Sequence, residues 1–274
     1  MKIDSTTKLF AVIGDPVSHS LSPAMHNAAF SHLGVNAAYV ALHVKPKDIE
    51  DAITGVRSLG IAGLNVTIPH KQAVLPLMDE LDETARMVGA VNTVVNREGR
   101  LAGYNTDAYG FQHALELLVG STKGMKVVML GAGGASLAVI HAFDESNEIT
   151  ILNRSVENAC KVASLARKAK TKPLALDERN LEESLKRADL LVNATPLGLH
   201  GENPVKESLF RSDMAVFDLS YERQRATPLV AAARKKGANA ADGKEMLLYQ
   251  GVKAFELFTG KAAPIEVMRR AIEE

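Results

Sequence analysis

The feature that most constrains the fold is the repeated alternation of short apolar runs with longer amphipathic segments. Runs such as Leu9–Ile13 and Gly63–Thr67 are typical of strands, and Pro23–Leu33 is typical of a helix. Strands and helices that alternate at this spacing form a mostly parallel sheet that helices cover on both faces. The sequence therefore predicts an α/β fold.

The alternation occurs in two consecutive series, so two α/β units are predicted. The first series has predicted strands at Leu9–Ile13, Ala38–His43, Gly63–Thr67, Val91–Asn96 and Leu101–Tyr104, and predicted helices at Pro23–Leu33, Pro46–Leu59 and around Lys71–Val88. A helix at Asp107–Val119 and a polar link at residues 120–124 follow. The second series has predicted strands at Lys126–Leu130, Glu148–Leu152, Asp189–Asn193 and Ala215–Leu219, and predicted helices at Gly134–Phe143, Val156–Lys168, Pro228–Lys236 and Glu245–Phe258.

Local signals define some boundaries of the first series. Ser22 followed by Pro23 predicts a helix start with a capping hydroxyl, and Gly34 predicts the end of that helix. The polar segment at residues 96–100 separates two strands that lie close together in the sequence. A short polar connection of this kind predicts a hairpin, which we expect at an edge of the sheet.

A glycine-rich turn follows the first strand of the second series. Lys126–Leu130 runs into Gly-Ala-Gly-Gly-Ala-Ser, where a predicted helix begins. Glycines let the chain turn sharply and let its amides approach a pyrophosphate, while the helix N-terminus supplies free N–H groups. The usual third glycine is replaced by a serine, but the strand before and the helix after are those of a dinucleotide site. The residues predicted to bind the pyrophosphate are Gly131, Ala132, Gly133, Gly134, Ala135 and Ser136.

The end of the next predicted strand indicates which dinucleotide binds. Sites for NAD usually carry Asp or Glu there, whereas this chain has Asn153, Arg154 and Ser155. A carboxylate would repel the 2′-phosphate of NADP, while an arginine binds it through a forked pair of charge-assisted hydrogen bonds. These residues therefore predict a 2′-phosphate pocket and NADP as the cofactor.

Polar side chains also follow the strands of the first series. Ser20 and Ser22 flank a strand-to-helix transition, where hydroxyls and free amides together can bind an anion. In open α/β sheets, ligands bind outside the carboxyl ends of the strands. The side chains that we expect to converge there are Asn65, Thr67, Lys71, Asn92 and Asp107.

Composition limits the partners and the compartment. The 32 basic and 32 acidic residues balance, so no global field recruits nucleic acid or an anionic membrane. No apolar run approaches the roughly 18–20 residues of a membrane span, and the N-terminus lacks the apolar core of a secretion signal. The single cysteine, Cys160, excludes an intrachain disulfide and predicts a reducing, cytoplasmic compartment. The histidines, including His200, have no spacing typical of a metal site, so we expect no metal.

The motifs along the whole chain resemble those of the shikimate dehydrogenase family, which includes shikimate/quinate dehydrogenases. The matching segments are GDPVSHSLSPAMHN, NVTIPHK, GAVNT, GYNTDAYG, GAGGAS, NRS, NATPLG and EMLLYQG. The resemblance implies an enzyme that reversibly reduces 3-dehydroshikimate to shikimate with NADPH, in the chorismate pathway of aromatic amino acid biosynthesis. It implies a substrate-binding and catalytic domain at residues 1–107 and 243–274, and a Rossmann-type NADP-binding domain at residues 108–242. The expected partners are the small-molecule substrate and, in a homodimer, a second copy of the chain.

The resemblance also implies a role for each candidate residue. Lys71 and Asp107 would be the catalytic pair. Ser20 and Ser22 would hold the substrate carboxylate, with the Tyr221 hydroxyl nearby. The ring hydroxyls would be bound by Asn65, Thr67, Asn92 and Gln250. Besides the pyrophosphate turn and the 2′-phosphate pocket, the NADP site would include Thr195, Pro196, Leu197, Gly243 and Met246.

The chemistry of the reaction leaves two roles open for Lys71. Hydride transfer to a ketone produces an alkoxide that must be protonated as it forms. A lysine ammonium stabilises the developing charge and can release a proton, and Asp107 would keep it in position. In the alternative, Lys71 only orients the substrate and stabilises charge, and other groups exchange the proton with solvent.

One departure from the family pattern keeps a second activity open. Members that strongly prefer NADP often carry a second basic residue where this chain has Asn158, and the adjacent Glu157 opposes a phosphate. The alternative is a quinate/shikimate dehydrogenase that uses both NAD and NADP. A further alternative is a non-catalytic ligand-sensing protein on the same fold, against which the intact Lys71 and Asp107 argue.

Overall fold

The computed structural model describes residues 3–166, 169–197 and 203–274 of the chain. The predicted helix end at Lys168, the Gly198 of the NATPLG motif and His200 lie outside these residues. The chain divides into two units, Met1–Gly110 with Leu248–Glu274, and Phe111–Leu247. The borders between the units thus lie at residues 110 and 248, a few residues beyond the expected domain borders at 107 and 243.

Strands and helices alternate through most of the described residues. The strands are β1 (Lys8–Gly14), β2 (Ala37–His43), β3 (Gly63–Val66), β4 (Glu80–Leu81), β5 (Thr93–Arg97), β6 (Arg100–Tyr104), β7 (Lys126–Leu130), β8 (Glu148–Asn153), β9 (Lys170–Ala175), β10 (Leu190–Asn193), β11 (Ala215–Asp218) and β12 (Asn239–Ala241). The helices are α1 (Ser22–His32), α2 (Ile49–Ser58), α3 (Glu83–Val88), α4 (Asp107–Val119), α5 (Gly134–Ile140), α6 (Val156–Leu165), α7 (Glu178–Leu185), α8 (Pro228–Lys235), α9 (Lys244–Thr259) and α10 (Ile265–Glu273).

The sheet of the first unit is mixed, with the strand order β2-β1-β3-β5-β6-β4. β1 pairs in parallel with β2 and β3, whereas β5 pairs antiparallel with β3 and β6. The predicted hairpin is therefore confirmed, and its turn is made by Glu98 and Gly99, which both have positive φ. Its predicted place at the sheet edge is wrong, because β4 pairs in parallel with β6 and takes the edge.

The sheet of the second unit is wholly parallel, with the strand order β12-β11-β10-β7-β8-β9. This is the Rossmann order, in which the chain reverses direction across the sheet between β7 and β10. Side chains such as Leu130, Leu191 and Val216 form a buried core on this sheet, and Ile13, Leu64 and other residues form a separate core in the first unit. The predicted α/β fold with a Rossmann-type second domain is confirmed.

The start of α1 differs in detail from the prediction. Pro23 lies in the first turn and Gly34, with φ +62°, follows the last turn, as predicted. The predicted capping role of Ser22 is wrong, because Ser22 is itself the first helical residue and the N-cap residue, Leu21, makes no side-chain cap. The Ser20 hydroxyl instead accepts a hydrogen bond from the Ser22 N–H at 3.3 Å.

The predicted helix around Lys71–Val88 is wrong except at its end, where α3 forms. Pro76 cannot donate an intrahelical hydrogen bond, and the segment contains only a short 3-10 turn, Leu75–Leu77, before β4. Asp79 accepts a hydrogen bond from the Leu101 N–H at 2.6 Å, which holds this part of the chain beside β6. The helix begins only after Asp82, whose carboxylate caps it by accepting from the Ala85 N–H at 2.7 Å.

Several elements of the structure were not predicted from the sequence. β9 is an edge strand with two lysines and Pro173, and such strands carry polar residues and proline more often than central ones. α7 buries only Leu181 and Leu185, so its apolar stripe is narrow. The other unpredicted elements are β4, β12 and α10.

Candidate active site

Lys71 and Asp107 form a direct ion pair in the first unit. Lys71 Nζ lies 2.6 Å from Asp107 Oδ2, and the two side chains are 18% and 8% exposed. The other carboxylate oxygen, Oδ1, accepts a hydrogen bond from Asn92 Nδ2 at 2.9 Å. Both oxygens of Asp107 therefore have donors, while the Lys71 ammonium, which carries three N–H groups, uses one of them on Asp107.

The backbone on both sides of this pair is fixed by its own hydrogen bonds. Lys71 lies in the segment after β3, where its carbonyl accepts from the Val91 N–H at 2.8 Å. The adjacent His70 ring places Nε2 2.7 Å from the Val44 carbonyl oxygen. Asp107 begins α4, and its N–H donates to the Asn105 side-chain oxygen at 3.1 Å. The Asn105 side chain thus precedes the helix and accepts from its first N–H groups. This contact fixes the backbone position from which the Asp107 side chain extends.

Asn92 is almost completely buried and is saturated by hydrogen bonds. Its Nδ2 donates to Asp107 Oδ1 and to Thr106 Oγ1, both at 2.9 Å. Its Oδ1 accepts from the Thr106 N–H at 2.7 Å and from Thr93 Oγ1 at 3.0 Å. A carboxamide has two donor hydrogens and two lone pairs, so these contacts use its whole capacity. In this structure Asn92 positions Asp107, and its contact with a ring hydroxyl stays a prediction.

Asn65 extends the same network from β3. Its Nδ2 donates to the Asn92 carbonyl oxygen at 3.2 Å and to Thr93 Oγ1 at 3.0 Å. Its Oδ1 accepts from the Tyr39 hydroxyl at 2.7 Å. Burial raises the pKa of Tyr39, while a hydrogen bond with the Ser22 side chain lowers it in part. A continuous chain of hydrogen bonds thus joins Tyr39 to the catalytic pair.

The other residues predicted to bind the substrate lie in different parts of the structure. Ser20 contacts Ser22 through its hydroxyl, as described above. Thr67 follows β3 and is half-buried, and its hydroxyl makes no hydrogen bond within the described residues. Gln250 is a half-buried residue of α9 in the first unit. Tyr221 belongs to the second unit, where burial raises its pKa.

The glycine-rich turn of the second unit leaves open space above its backbone. Gly131 has φ +101°, and a Cβ there would lie 2.8 Å from the Ala194 carbonyl oxygen. A Cβ on Gly133 or Gly134 would meet nothing within 4 Å. Ser136 is buried and closes the turn, because its hydroxyl accepts from the Gly133 N–H at 3.2 Å. The first glycine is thus needed for the chain to turn, and the next two leave room for a phosphate to approach.

The predicted 2′-phosphate pocket lies at the end of β8. Asn153 Nδ2 donates to the Ser155 carbonyl oxygen at 3.0 Å, and the Ser155 hydroxyl caps α6 by accepting from the Asn158 N–H at 3.3 Å. Arg154, between them, is exposed and has no acidic partner within the described residues. The charge of Glu157 is offset by Lys161, whose Nζ lies 2.7 Å from it. The turn, Arg154 and its neighbours therefore fit a dinucleotide that carries a 2′-phosphate.

Two unpredicted residues hold the Thr195–Leu197 segment. Asn193 Oδ1 accepts from the N–H and hydroxyl of Thr195 at 3.1 and 2.6 Å, and its Nδ2 donates to the Leu197 carbonyl at 3.0 Å. The same Nδ2 donates to Asp218 Oδ1 at 3.0 Å. Asp218 ends β11 and is fully buried, and burial raises its pKa to about 6. Pro196, between the two held residues, is exposed.

Gly243 and Met246 lie near the end of the second unit. The Gly243 N–H donates to the Ser220 carbonyl oxygen at 3.0 Å, and a Cβ on Gly243 would clash with the Leu219 carbonyl oxygen. Glycine is therefore required at this position by close packing. Met246 is a buried residue of α9. Their roles toward a cofactor stay predictions.

Some of the unpredicted residues carried a sequence signal and others carried none. Asn105 stands two residues before the first residue of α4, which is typical of a side chain that caps a helix. Thr93 and Thr106 lie inside the quoted motifs. Tyr39 is the second residue of the predicted strand Ala38–His43, where a tyrosine ordinarily indicates packing, so nothing marked it as part of the site.

Neither a metal cluster nor a membrane span is found in the described part of the chain. Residues 3–166, 169–197 and 203–274 contain no group of three or more His, Cys, Asp or Glu side chains arranged to hold a metal ion. In the same ranges, no helix has the length and apolar character needed to cross a membrane.

Three family models together match most of the chain. They are the shikimate dehydrogenase substrate binding domain at residues 12–94, shikimate / quinate 5-dehydrogenase at residues 113–228, and the shikimate 5′-dehydrogenase C-terminal domain at residues 243–273. The matched ranges contain every predicted catalytic and substrate-binding residue except Asp107.

Similar proteins agree with these matches over the full length. The shikimate dehydrogenase (NADP(+)) of Methanopyrus kandleri is 47% identical, and the alignment covers 100% of this chain and 98% of that protein. The enzyme of the same name from Thermococcus kodakarensis is 44% identical over 99% of this chain and 98% of its own. A crystal structure of shikimate 5-dehydrogenase from Thermus thermophilus, in complex with NADP(H) and shikimate, is 37% identical and superposes with a TM-score of 0.86, covering 97% of this chain and 98% of that chain. The chain belongs to the shikimate dehydrogenase family.

Proposed function

We propose that this chain catalyses the reversible, NADP-dependent interconversion of 3-dehydroshikimate and shikimate, a step of the chorismate pathway of aromatic amino acid biosynthesis. The observation that carries the proposal is the buried Lys71–Asp107 pair, held by Asn92 and by fixed backbone on both sides. The names of the similar proteins and the ligands of the Thermus thermophilus structure support the same reaction.

The substrate is bound through its carboxylate and its ring hydroxyls. Ser20 and Ser22, together with Tyr221, bind the carboxylate. Hydroxyl groups of the ring are bound by Asn65, Thr67, Asn92 and Gln250. This assignment is supported by the Thr67 hydroxyl, which the described residues leave unused, and by the place of Tyr39, which bonds Asn65 and has Ser22 beside it.

The cofactor is held by the second unit. Gly131, Ala132, Gly133, Gly134, Ala135 and Ser136 bind its pyrophosphate, Asn153, Arg154 and Ser155 bind its 2′-phosphate, and Thr195, Pro196, Leu197, Gly243 and Met246 line the rest of its site. NADPH, when bound, supplies the hydride. The open space above Gly133 and Gly134 supports this assignment, as does the charge of Arg154, which no described carboxylate pairs.

Lys71, positioned by Asp107, transfers the proton to and from the substrate oxygen. In the reducing direction, the Lys71 ammonium donates a proton from Nζ to the substrate oxygen as the ketone becomes a hydroxyl. In the oxidising direction, neutral Lys71 accepts that proton. Asp107 keeps Nζ in position through its 2.6 Å contact and stabilises the ammonium form. Asn92 prevents the carboxylate from rotating, since it holds the other oxygen.

We also propose a cytoplasmic location and a homodimeric assembly. The one cysteine, Cys160, is exposed and unpaired, which suits a reducing compartment. The edge strand β2 exposes Leu42, and Leu9 on the adjacent β1 is also exposed, so apolar surface lies beside the free edge of the first sheet. Light scattering coupled to size-exclusion chromatography measures the mass in solution, and a monomer at all concentrations would contradict the dimer.

The proposed function is tested by replacing Lys71. Wild-type protein should oxidise shikimate with NADP, followed at the absorbance of the reduced nicotinamide. Lys71→Ala should lower kcat by about 10²–10⁴-fold, the usual effect of a positioned acid–base group. Lys186→Ala is the matched control, because this exposed lysine pairs with Glu183 on the surface.

Two further results bear on the same proposal. Small primary amines added to Lys71→Ala should restore part of kcat, since an amine in solution can replace the missing proton donor. No shikimate turnover by the wild type, or a Lys71→Ala kcat within threefold of wild type, would contradict the proposed function.

A further inference from the structure

Tyr39 contributes a hydroxyl to the substrate site, although it lies within a strand. The side chain is only 2% exposed, and its hydroxyl donates to Asn65 Oδ1 at 2.7 Å. The Ser22 side chain lies beside the same hydroxyl and partly lowers its pKa, which burial raises. One phenol therefore adjoins both a serine that binds the carboxylate and an asparagine that binds the ring.

The hydrogen bonds of Asn65 determine what it can offer to a ligand. The Asn92 carbonyl oxygen can only accept, so the Asn65 atom beside it must be the amide nitrogen. The second amide hydrogen goes to Thr93 Oγ1. Both donors are therefore used within the protein. Of the two lone pairs on Oδ1, one accepts from Tyr39, and the other is the capacity that remains for a ligand.

Tyr39 itself is held by two residues of α1, which are also the last two residues of the N-terminal motif. Asn27 Nδ2 donates to the Tyr39 carbonyl oxygen, and the Tyr39 N–H donates to Asn27 Oδ1, both at 2.8 Å. β2 is an edge strand, so Asn27 supplies the backbone partners that a neighbouring strand would otherwise supply. The His26 ring stacks on the Tyr39 ring, with centroids 4.5 Å apart and planes 6° apart.

His26 acts in this contact as a flat, uncharged surface. It is fully buried, both ring nitrogens lack a hydrogen-bond partner among the described residues, and burial lowers its pKa to about 3. The consecutive residues His26 and Asn27 therefore fix the ring and the backbone of Tyr39. This gives a physical role to a part of the N-terminal motif that the carboxylate site does not use.

We propose that Tyr39 is a positioning residue that fixes Asn65 as a hydrogen-bond acceptor, so that the site selects a hydroxyl donor at the ring position facing Asn65. The inference rests on the proposed function and deepens it. A keto oxygen or a fluorine at that position would bring two acceptors together and would not be bound. Loss of the Tyr39 hydroxyl removes one of the three anchors of Asn65 and leaves a buried oxygen without its donor.

The test compares shikimate with its 4-deoxy and 5-deoxy analogues in wild type and in Tyr39→Phe. Tyr39→Phe should raise the KM for shikimate about 3- to 10-fold, as expected for one net hydrogen bond. The kcat should stay within threefold, and the KM for NADP should not change. With the one analogue that lacks the hydroxyl facing Asn65, the variant should have no further effect on KM.

Phe30→Leu is the matched control for packing. Phe30 belongs to the same aromatic cluster, with its ring 6.3 Å from His26, but it offers no hydroxyl. It should lower thermal stability without changing the preference for shikimate over either analogue. Equal effects of Tyr39→Phe on shikimate and on both analogues would overturn the inference, since a purely structural role would act on all three alike.

A second measurement needs no variant and covers the case in which Tyr39→Phe does not fold. At the position facing Asn65, the wild type should bind the fluoro analogue no better than the deoxy analogue, because the hydroxyl acts there as a donor. Tighter binding of the fluoro analogues than of the deoxy analogues at both positions would overturn the inference. Absence of turnover with shikimate itself would instead refute the proposed function, and this inference with it.

Discussion

The candidate substrate site and the candidate cofactor site are built in opposite ways. In the first unit, buried side chains bind one another in a series that runs from Tyr39 through Asn65, Thr93 and Asn92 to Asp107 and Lys71. In the second unit, the glycine-rich turn offers backbone N–H groups, with open space above Gly133 and Gly134. The charged residue of this site, Arg154, is exposed. The difference indicates that a site where proton transfer occurs needs polar groups that are already fixed in position. A cofactor carries its own reactive group, so its site needs mainly open space for the phosphates and a positive charge beside them.

The difference in burial also predicts in which region a substitution changes activity more. Electrostatic interactions between buried groups are screened little by water, so changing one partner of a buried pair has a large effect. Exposed pairs such as Glu157 with Lys161 contribute little, because solvent and salt screen them. We therefore expect substitutions in the first region to reduce catalysis strongly, and those around Arg154 to change cofactor preference moderately.

Among the substitutions that test this difference between the two sites, Asp107→Asn should have the largest effect on kcat. The amide keeps an oxygen for Asn92 but cannot stabilise the Lys71 ammonium, so kcat should fall by about 10²–10⁴-fold with an unchanged KM for NADP. Steady-state kinetics with both substrates measures this. Asp213→Asn, which removes an exposed carboxylate paired with Arg211, is the control. If Asp107→Asn raised the KM for NADP as much as it lowered kcat, the two regions would not be independent.

Asp218 is the exception in the cofactor region, because it is a fully buried carboxyl. Its pKa in the folded protein is raised from 3.8 to about 6. As pH rises from about 4 to 6, the unfolded chain therefore loses this proton first, and native stability falls before levelling off. Two pKa units correspond to about 3 kcal/mol. Asp218→Asn has no such group but keeps an oxygen acceptor for Asn193 and for Ser220.

The prediction is a pH-dependent difference between the wild type and Asp218→Asn. Urea unfolding from pH 4 to 7 should show the variant gaining about 2 kcal/mol relative to the wild type, with most of the change below pH 6, because the unfolded wild type has already lost part of this proton at pH 4. A fixed cost of the substitution cancels, because only the change with pH is compared. Parallel stability curves would mean that the Asp218 carboxyl is ionised in the folded protein throughout this range.

A smaller effect is expected from Arg154→Ala. A charged contact to the 2′-phosphate contributes about 1.5–3 kcal/mol, which corresponds to roughly 10- to 150-fold in kcat/KM. Since Arg154 is exposed, we expect the lower part of this range for NADP and almost no change for NAD. The ratio of kcat/KM for the two cofactors measures the effect. Equal losses with NADP and NAD would show that Arg154 is structural and does not bind the 2′-phosphate.

The sequence predicted those elements whose structure is determined by residues close to one another along the chain. The glycine turn before α5, the hairpin of β5 and β6, and the parallel strands each have a local pattern. The contact between Lys71 and Asp107 spans 36 residues, and the expectation that they meet came from their places after strands and from the family resemblance. Both routes use position along the chain rather than knowledge of the packed side chains.

The sequence did not predict contacts made by ordinary residues across the fold. The Tyr39–Asn65 bond spans 26 residues and the Asn193–Asp218 bond spans 25, and neither pair has a spacing that marks it. The helix predicted around Lys71 was wrong because tertiary hydrogen bonds, such as that between Asp79 and Leu101, hold the segment in another form. The capping role predicted for Ser22 was wrong because the helix starts one residue earlier than the pattern indicated.

The most direct test of the contrast between the two sites is one set of kcat/KM values for the wild type with four combinations, shikimate or quinate with NADP or NAD. We predict the highest value for shikimate with NADP. Because the substrate site is buried and fixed while the phosphate pocket is exposed, we also predict that changing shikimate to quinate costs more than changing NADP to NAD. Equal use of quinate and shikimate, or a preference for NAD, would contradict this contrast and would favour the dual-specificity quinate/shikimate dehydrogenase.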